Sequence, residues 1–104
     1  MTDTGMDPRR LSFDGTLTVR NVAPLRDALL EALASGQDIE VDCRAADAVD
    51  LSFVQLLLAA RLSALRGGRR LSLAGPAEGA LLHALEQGGF LTGDTPDGFW
   101  AGNA

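Results

Sequence analysis

The stretch Ile39-Glu-Val-Asp-Cys-Arg-Ala-Ala-Asp-Ala-Val-Asp-Leu-Ser-Phe-Val-Gln-Leu-Leu57 decides the fold, because it joins a strand pattern to the strongest helix pattern in the chain. Ile39 and Val41 alternate with acidic residues, which is the period of a half-buried strand. The sequence therefore predicts a strand over 38–42, followed by a loop over 43–50.

The helix that follows is predicted over 52–66. Ser52 and Gln55 have the spacing of a capping box, which places the helix start at Ser52. Gly67 and Gly68 then stop the helix. Its apolar residues cover much of the circumference, which is typical of a buried helix: Phe53, Val54, Leu56, Leu57, Leu58, Leu62 and Leu65.

On the N-terminal side, residues 9–20 alternate between polar and apolar around Asp14-Gly15, which is a strong signal for a two-residue hairpin turn. An antiparallel β-hairpin is therefore predicted there. Asn21 and Pro24 mark the start of a first helix. One apolar face of that helix contains Leu25, Ala28, Leu29, Ala32 and Leu33.

On the C-terminal side, residues 69–74 predict a further strand, and Pro76 predicts the first position of a last helix. The predicted order is β-β-α-β-α-β-α. Strand–helix–strand units need right-handed crossovers, so the expected fold is α/β, a small mixed β-sheet with helices packed mainly on one face.

The chain has 104 residues, which suits one domain. We expect a flexible N-terminal tail over 1–8, the folded domain over 9–91 and a C-terminal tail over 92–104. Phe99 and Trp100 in that last segment are expected either to fold back onto the body or to contact a partner.

The composition narrows the class of partner. The net charge is −5 and the pI is about 4.6, which argues against nucleic-acid binding because an acidic surface repels phosphates. The single cysteine, Cys43, cannot form an internal disulfide, so a reducing, cytoplasmic location is expected. No segment has the length of a membrane span or the pattern of a signal peptide, so direct membrane insertion is not expected.

Few residues suggest chemistry. His83 is the only histidine, and it is expected to be a partly buried structural residue. Asp42, Asp47 and Asp50 fall within nine residues, and oxygen ligands of this kind suit Mg²⁺. Acidic residues are also frequent near helix starts, where they cap the helix and complement its dipole. We favour that explanation and expect no enzyme activity, no cofactor and no metal.

The strand Ile39-Glu-Val-Asp42, the loop after it and Val49-Asp50-Leu51-Ser52-Phe53-Val54-Gln55 together resemble the signature of STAS domains. In that family a strand ends in Asp, and a short loop leads to Asp-Ser/Thr-x-Gly-Leu at the start of the second helix. The resemblance covers about residues 9–91. It implies a protein-interaction module whose partner docks on the loop and the helix start.

The resemblance also implies a phosphorylation switch, which this sequence does not match fully. In anti-sigma-factor antagonists, the Ser or Thr directly after the motif Asp is phosphorylated. Asp50 matches that Asp, but the acceptor position is Leu51, which has no hydroxyl group. Either Ser52 has taken over the role, or Ser52 is only the helix N-cap. An exposed Leu51 would suit a permanent apolar contact.

Two functions follow from the resemblance, and both place the partner-docking residues at Asp42, Asp47, Asp50, Leu51, Ser52 and Phe53. The first function is an antagonist that docks onto a kinase-like anti-sigma factor or another signalling protein. The alternative is a cytoplasmic STAS subunit that binds the ATPase of a phospholipid-transport ABC complex. A metal-dependent enzyme or small-ligand binder is a third, weaker alternative. The oligomeric state is not predicted.

Overall fold

The computed structural model describes residues 8–89 and 96–101. All of the N-terminal tail predicted over 1–8 except Pro8 lies outside the described residues and stays a prediction. Strands and helices alternate along the chain, with a short 3-10 helix before the first α-helix and another near the end. The elements are β1 (Arg9–Leu17), the 3-10 turn Val19–Asn21, α1 (Val22–Ala34), β2 (Ile39–Val49), α2 (Leu51–Arg66), β3 (Leu71–Leu73), α3 (Gly79–Gln87) and the 3-10 helix Pro96–Ala101.

The three strands form one parallel sheet in the order β1-β2-β3. Parallel neighbours need a crossover, and α1 and α2 provide the two that this sheet requires. β3 is short and pairs only with the start of β2, from Ile39 to Val41. The second half of β2 therefore pairs with β1 alone among the described strands.

The core lies on one face of the sheet. Alternate strand residues such as Phe13, Val41 and Leu73 are buried in a single apolar cluster with residues of all three helices. The residues between them in β1, such as Arg10 and Ser12, are exposed. The predicted α/β class and the placement of the helices on one face are confirmed, as is the order of elements from α1 onward.

The hairpin predicted for residues 9–20 is wrong, and so is the mixed sheet predicted with it, because the three described strands are all parallel. Residues Arg9–Leu17 form one continuous strand that pairs in parallel with β2. The pairing slips between Ser12 and Asp14 and again between Gly15 and Thr16, and β2 advances one extra residue at each slip. Gly15 does adopt a positive φ of 71°, but it uses this freedom inside an irregular strand and not in a turn.

The loop predicted over 43–50 is also wrong, because β2 continues to Val49. Residues Ala45, Ala46, Ala48 and Val49 pair with the second half of β1. Alanine and aspartate have low strand propensity, so the sequence in this region does not look like a strand. Pairing with the long β1 overrides that local preference.

The helices largely follow their patterns. In α1, Leu29 and Ala32 are buried, and Leu25, Ala28 and Leu33 pack against the core. α3 begins at Gly79, three residues after the predicted Pro76, and buries Leu81 and Leu85. Among the helices in the described part of the chain, none combines the length and the apolar character that crossing a membrane requires.

The segment predicted as a C-terminal tail contains a packed element. Phe99 and Trp100 lie in the 3-10 helix Pro96–Ala101 and are 1% and 6% exposed. The guanidinium carbon of Arg61 lies 5.2 Å from the centre of the Phe99 ring, and the Ala77 N–H donates to the Trp100 carbonyl over 2.7 Å. Of the two expectations for these aromatic residues, folding back onto the body is the one that the structure shows.

Candidate protein-docking site

Asp50 organises the start of α2. It is the N-cap residue, with extended backbone angles of φ −119° and ψ 179°. Its Oδ1 accepts hydrogen bonds from the backbone N–H groups of Ser52 and Phe53, at 3.0 and 3.3 Å. These bonds help to satisfy backbone donors of the first helical turn, where the Phe53 N–H also donates to the Asp50 carbonyl over 3.2 Å. The negative charge is also favourable at the helix N-terminus.

The same carboxylate also ties α2 to the end of β1. Its Oδ2 accepts a hydrogen bond of 2.9 Å from the Val19 N–H. The backbone N–H of Asp50 in turn donates to the Leu17 carbonyl over 3.2 Å. Three of the roughly four acceptor positions of the carboxylate are thus used within the protein. Asp50 therefore acts as a positioning residue, with little capacity left for a partner.

Two apolar side chains are exposed around this carboxylate. Leu51 is 48% exposed and Val19 is 62% exposed. We call Val19, Asp50, Leu51 and Ser52 the apical patch. Leu51 was predicted as a docking residue from the sequence, whereas Val19 was missed. The sequence did contain a signal for Val19, because an apolar residue in a short link such as that between β1 and α1 is unusual.

Phe53 was also predicted to contact a partner, and its position in the fold contradicts this. Its side chain is fully buried, at 0% exposure. Its ring meets the Phe13 ring edge to face, with centroids 5.8 Å apart and an interplanar angle of 85°. The side chain points between α2 and the sheet, so it belongs to the core and not to the docking surface.

Ser52 is not the N-cap of α2, as one of the two sequence interpretations had it. Asp50 takes that position, and Ser52 lies inside the first turn with a half-buried side chain. The capping box between Ser52 and Gln55 is therefore wrong. The phosphoacceptor interpretation of Ser52 is not tested by this geometry and stays a prediction.

Asp42 lies well away from the apical patch. Asp42 and Asp50 are eight positions apart along β2 and its end, which corresponds to roughly 25 Å of extended chain. Its two carboxylate oxygens accept hydrogen bonds from the Arg44 guanidinium at 3.0 and 2.9 Å, and the Arg44 backbone N–H adds another at 3.0 Å. These bonds lower the pKa of Asp42 to about 2. Asp42 is thus partnered within its own strand and does not join the patch.

Asp47 is exposed near the end of β2, beside a shallow groove that α3 borders and His83 lines. His83 is exposed, and not partly buried as predicted. The three aspartates considered for Mg²⁺ therefore have three separate environments. Within residues 8–89 and 96–101, no group of three or more His, Cys, Asp or Glu side chains could hold a metal ion.

Cys43 is buried beneath the helices, at 5% exposure. Burial raises the pKa of its thiol to about 12, and the charge of neighbouring Asp42 acts in the same direction. The thiolate is the reactive form of cysteine, so this side chain is inert at neutral pH.

Replacing the carboxylate of Asp50 is expected to loosen the patch. Asp50→Ala should lower the free energy of unfolding by about 1–2 kcal/mol, because it removes an N-cap and the link to Val19. Asp50→Asn should recover most of this loss, since asparagine caps about as well. Urea unfolding measures both variants.

Asp47→Ala is the matched control. It removes an exposed aspartate three residues away, so a change within about 0.5 kcal/mol is expected. Equal losses in Asp47→Ala and Asp50→Ala would contradict the role given to Asp50.

The fold and the patch define a small α/β domain that presents a helix start beyond a parallel sheet. The chain belongs to the STAS domain family, because the family model described as "Mlab, STAS domain" matches residues 1–92. Membership is consistent with a regulatory or protein-interaction module. No curated protein and no solved structure matches the chain.

Proposed function

We propose that this chain is a non-enzymatic docking module of the cytoplasm that binds a partner protein through the apical patch. One observation carries the proposal: Leu51 and Val19 are exposed on a turn that the Asp50 carboxylate holds in place. Apolar side chains on a preorganised turn lose little entropy when a partner covers them. Such residues suit the centre of an interface, with polar groups at the rim.

The first class of partner is a kinase-like anti-sigma factor or a related signalling protein, as the resemblance to anti-sigma-factor antagonists implies. In this case Ser52 is the candidate phosphoacceptor. A phosphate there would lie close to the Asp50 carboxylate, whose Oδ1 is 3.0 Å from the Ser52 nitrogen. The two negative groups would repel each other, and the added charge would disrupt an apolar contact at Leu51.

The second class of partner is the ATPase of a phospholipid-transport ABC complex. The side chain of Leu51 favours this class, because it occupies the family's acceptor position and carries no hydroxyl group. An interface centred on Leu51 cannot be switched by phosphorylation of that residue. A permanent subunit contact needs no such switch.

Leu51→Asp tests the docking surface. We expect it to weaken binding of the cognate partner by at least tenfold, because it places a charge at the centre of an apolar contact. The full-length tagged chain is used to capture proteins from its native cells, and recovery is quantified by mass spectrometry. The partner recovered, a signalling regulator or an ABC ATPase, then decides between the two classes.

Leu30→Asp is the matched control, since Leu30 is exposed to the same extent as Leu51, at 49% against 48%, but lies on α1. We expect Leu30→Asp to retain the partner. Recovery that is equally low for both variants, equally high for both, or absent with the wild-type chain would contradict docking through the apical patch.

A further inference from the structure

The outer side of α2 carries a mainly apolar stripe, whose central leucine, Leu58, is half-buried and packs against the core. Buried residues of α2, such as Phe53, Leu57 and Ala64, mark the inner face. A helix turns 100° per residue, so residues spaced alternately by four and three positions lie along one side of it. Five residues of α2 have this spacing on the outer side. We call these residues the α2 stripe: Leu51, Gln55, Leu58, Leu62 and Leu65.

Four of the five stripe residues are exposed to solvent, and Leu58 is the exception. Leu51, Leu62 and Leu65 are 48%, 49% and 47% exposed, and Gln55 is also exposed. Single exposed leucines are ordinary, but three aligned on one helix form a patch that suggests an interaction site. The patch extends from the apical patch about 21 Å down the helix, at 1.5 Å per residue.

The spacing indicates what shape of partner fits. Alternating steps of four and three residues form the narrow seam of a coiled coil, in which a second helix packs its own apolar residues between those of the first. A polar residue within such a seam, here Gln55, fixes the register of the pairing. A helix therefore matches this surface better than an extended peptide does.

The charges of α2 indicate what kind of partner helix would fit the stripe. The sequence of α2 contains Arg61 and Arg66 and no acidic residue, although the chain as a whole is acidic. Arg66 is exposed beside the stripe. A second copy of α2 would bring Arg66 and no acidic side chain of its own to the seam, while Arg61 packs over the Phe99 ring. A helix with acidic residues on its flanks supplies the missing complement.

We propose that the α2 stripe receives one amphipathic helix of the partner protein, with apolar residues at heptad spacing and acidic side chains on its flanks. This inference rests on the proposed docking function, since Leu51 belongs to both surfaces. It adds that the contact continues along α2 to Leu65. The partner's acidic flank would meet the basic end of the helix at Arg66.

A synthetic peptide tests the surface directly. The probe is a labelled peptide of three heptads, with leucine at the a and d positions and glutamate at the e and g positions. Binding to the full-length chain is followed by fluorescence anisotropy, with the peptide at trace concentration so that it does not pair with itself. The control peptide carries lysine in place of each glutamate.

The glutamate peptide is expected to bind at least tenfold more tightly than the lysine peptide. Leu62→Glu and Leu65→Glu should each weaken its binding at least fivefold, and Arg66→Glu should reduce the preference for glutamate. Gln87→Glu adds the same charge on an exposed position of α3 and should leave binding unchanged. The inference would be overturned if the glutamate peptide did not bind, or if the two peptides bound equally well. It would also be overturned if the chain formed a dimer that Leu62→Glu abolishes.

The capture experiment separates this inference from the docking function on which it rests. Loss of the cognate partner with Leu51→Asp but not with Leu65→Glu would retain the apical patch and overturn the extended helix contact. Loss with both variants supports both proposals. Loss with neither would overturn both, and loss with Leu65→Glu alone would overturn the apical patch as the docking centre.

Discussion

Phe53→Ala is expected to lower the free energy of unfolding by about 3–5 kcal/mol, because it empties a fully enclosed site in the core. The ring also loses its edge-to-face contact with Phe13, and such pairs add about 0.5–1.5 kcal/mol to burial alone. A domain of this size has a stability of roughly 5–15 kcal/mol, so the variant should be close to its folding threshold. Urea unfolding followed by circular dichroism measures the loss.

Gln55→Ala is the control for this experiment. Gln55 lies two residues further along the same helix with an exposed side chain, so a change within about 0.5 kcal/mol is expected. Phe53→Leu should lose less stability than Phe53→Ala, because it keeps most of the buried volume. If Phe53→Ala retained wild-type stability and lost only the partner, the docking role first predicted for Phe53 would be correct after all.

The wrong prediction for Phe53 shows which features of a helix apolar periodicity can predict and which it cannot. Apolar residues occupy nearly the whole circumference of α2, so the pattern predicts a helix without telling which side faces the sheet. That choice depends on contacts with α1, α3 and the strands, which are distant in sequence. Phe53 and Leu51 are two residues apart, hence about 200° apart around the helix, and only one of them can face the core.

The cap of α2 has a similar explanation. Asp50 and Ser52 are both good N-cap residues, and Gln55 at the right distance favours Ser52. The Asp50 side chain also accepts a hydrogen bond from the Val19 N–H. If Ser52 were the cap, the Val19 N–H would lack this acceptor. This tertiary hydrogen bond favours Asp50 as the cap, and no local pattern contains it.

The sheet was predictable in class but not in detail. The alternation at Ile39 and Val41 correctly located the start of β2. Asp14-Gly15 favours a turn when only neighbouring residues are considered. In the folded chain, β1 gains more by pairing with a long parallel neighbour, and Gly15 lets the strand accommodate the slipped register. Long-range pairing of this kind overrides a two-residue signal.

Phe99→Ala is the second change with a large expected effect, about 3–5 kcal/mol in the free energy of unfolding. The Phe99 ring is 1% exposed and contacts both Arg61 and Trp100, with its centroid 4.7 Å from that of the indole. Its removal leaves a cavity and also removes a cation–π contact worth roughly 0.5–2 kcal/mol. The prediction treats the 3-10 helix Pro96–Ala101 as part of the cooperative fold.

Trp100 makes that treatment testable, because it is the single tryptophan of the chain and its side chain is buried. In the wild-type protein, tryptophan fluorescence and circular dichroism should report the same unfolding midpoint, as expected for a two-state domain. In Phe99→Ala both midpoints should fall together. Ala101→Ser, at an exposed position of the same 3-10 helix, should stay within about 0.5 kcal/mol of the wild-type protein.

A fluorescence transition that precedes the circular dichroism transition would show instead that residues 96–101 detach before the body unfolds. The Ala77 N–H would then lose its bond to the Trp100 carbonyl, while α2 and the sheet kept their structure. In that case most of the expected loss would disappear from the circular dichroism midpoint, because local opening costs less than global unfolding. The 3-10 helix would then be an appendage of the STAS fold and not a contributor to its stability.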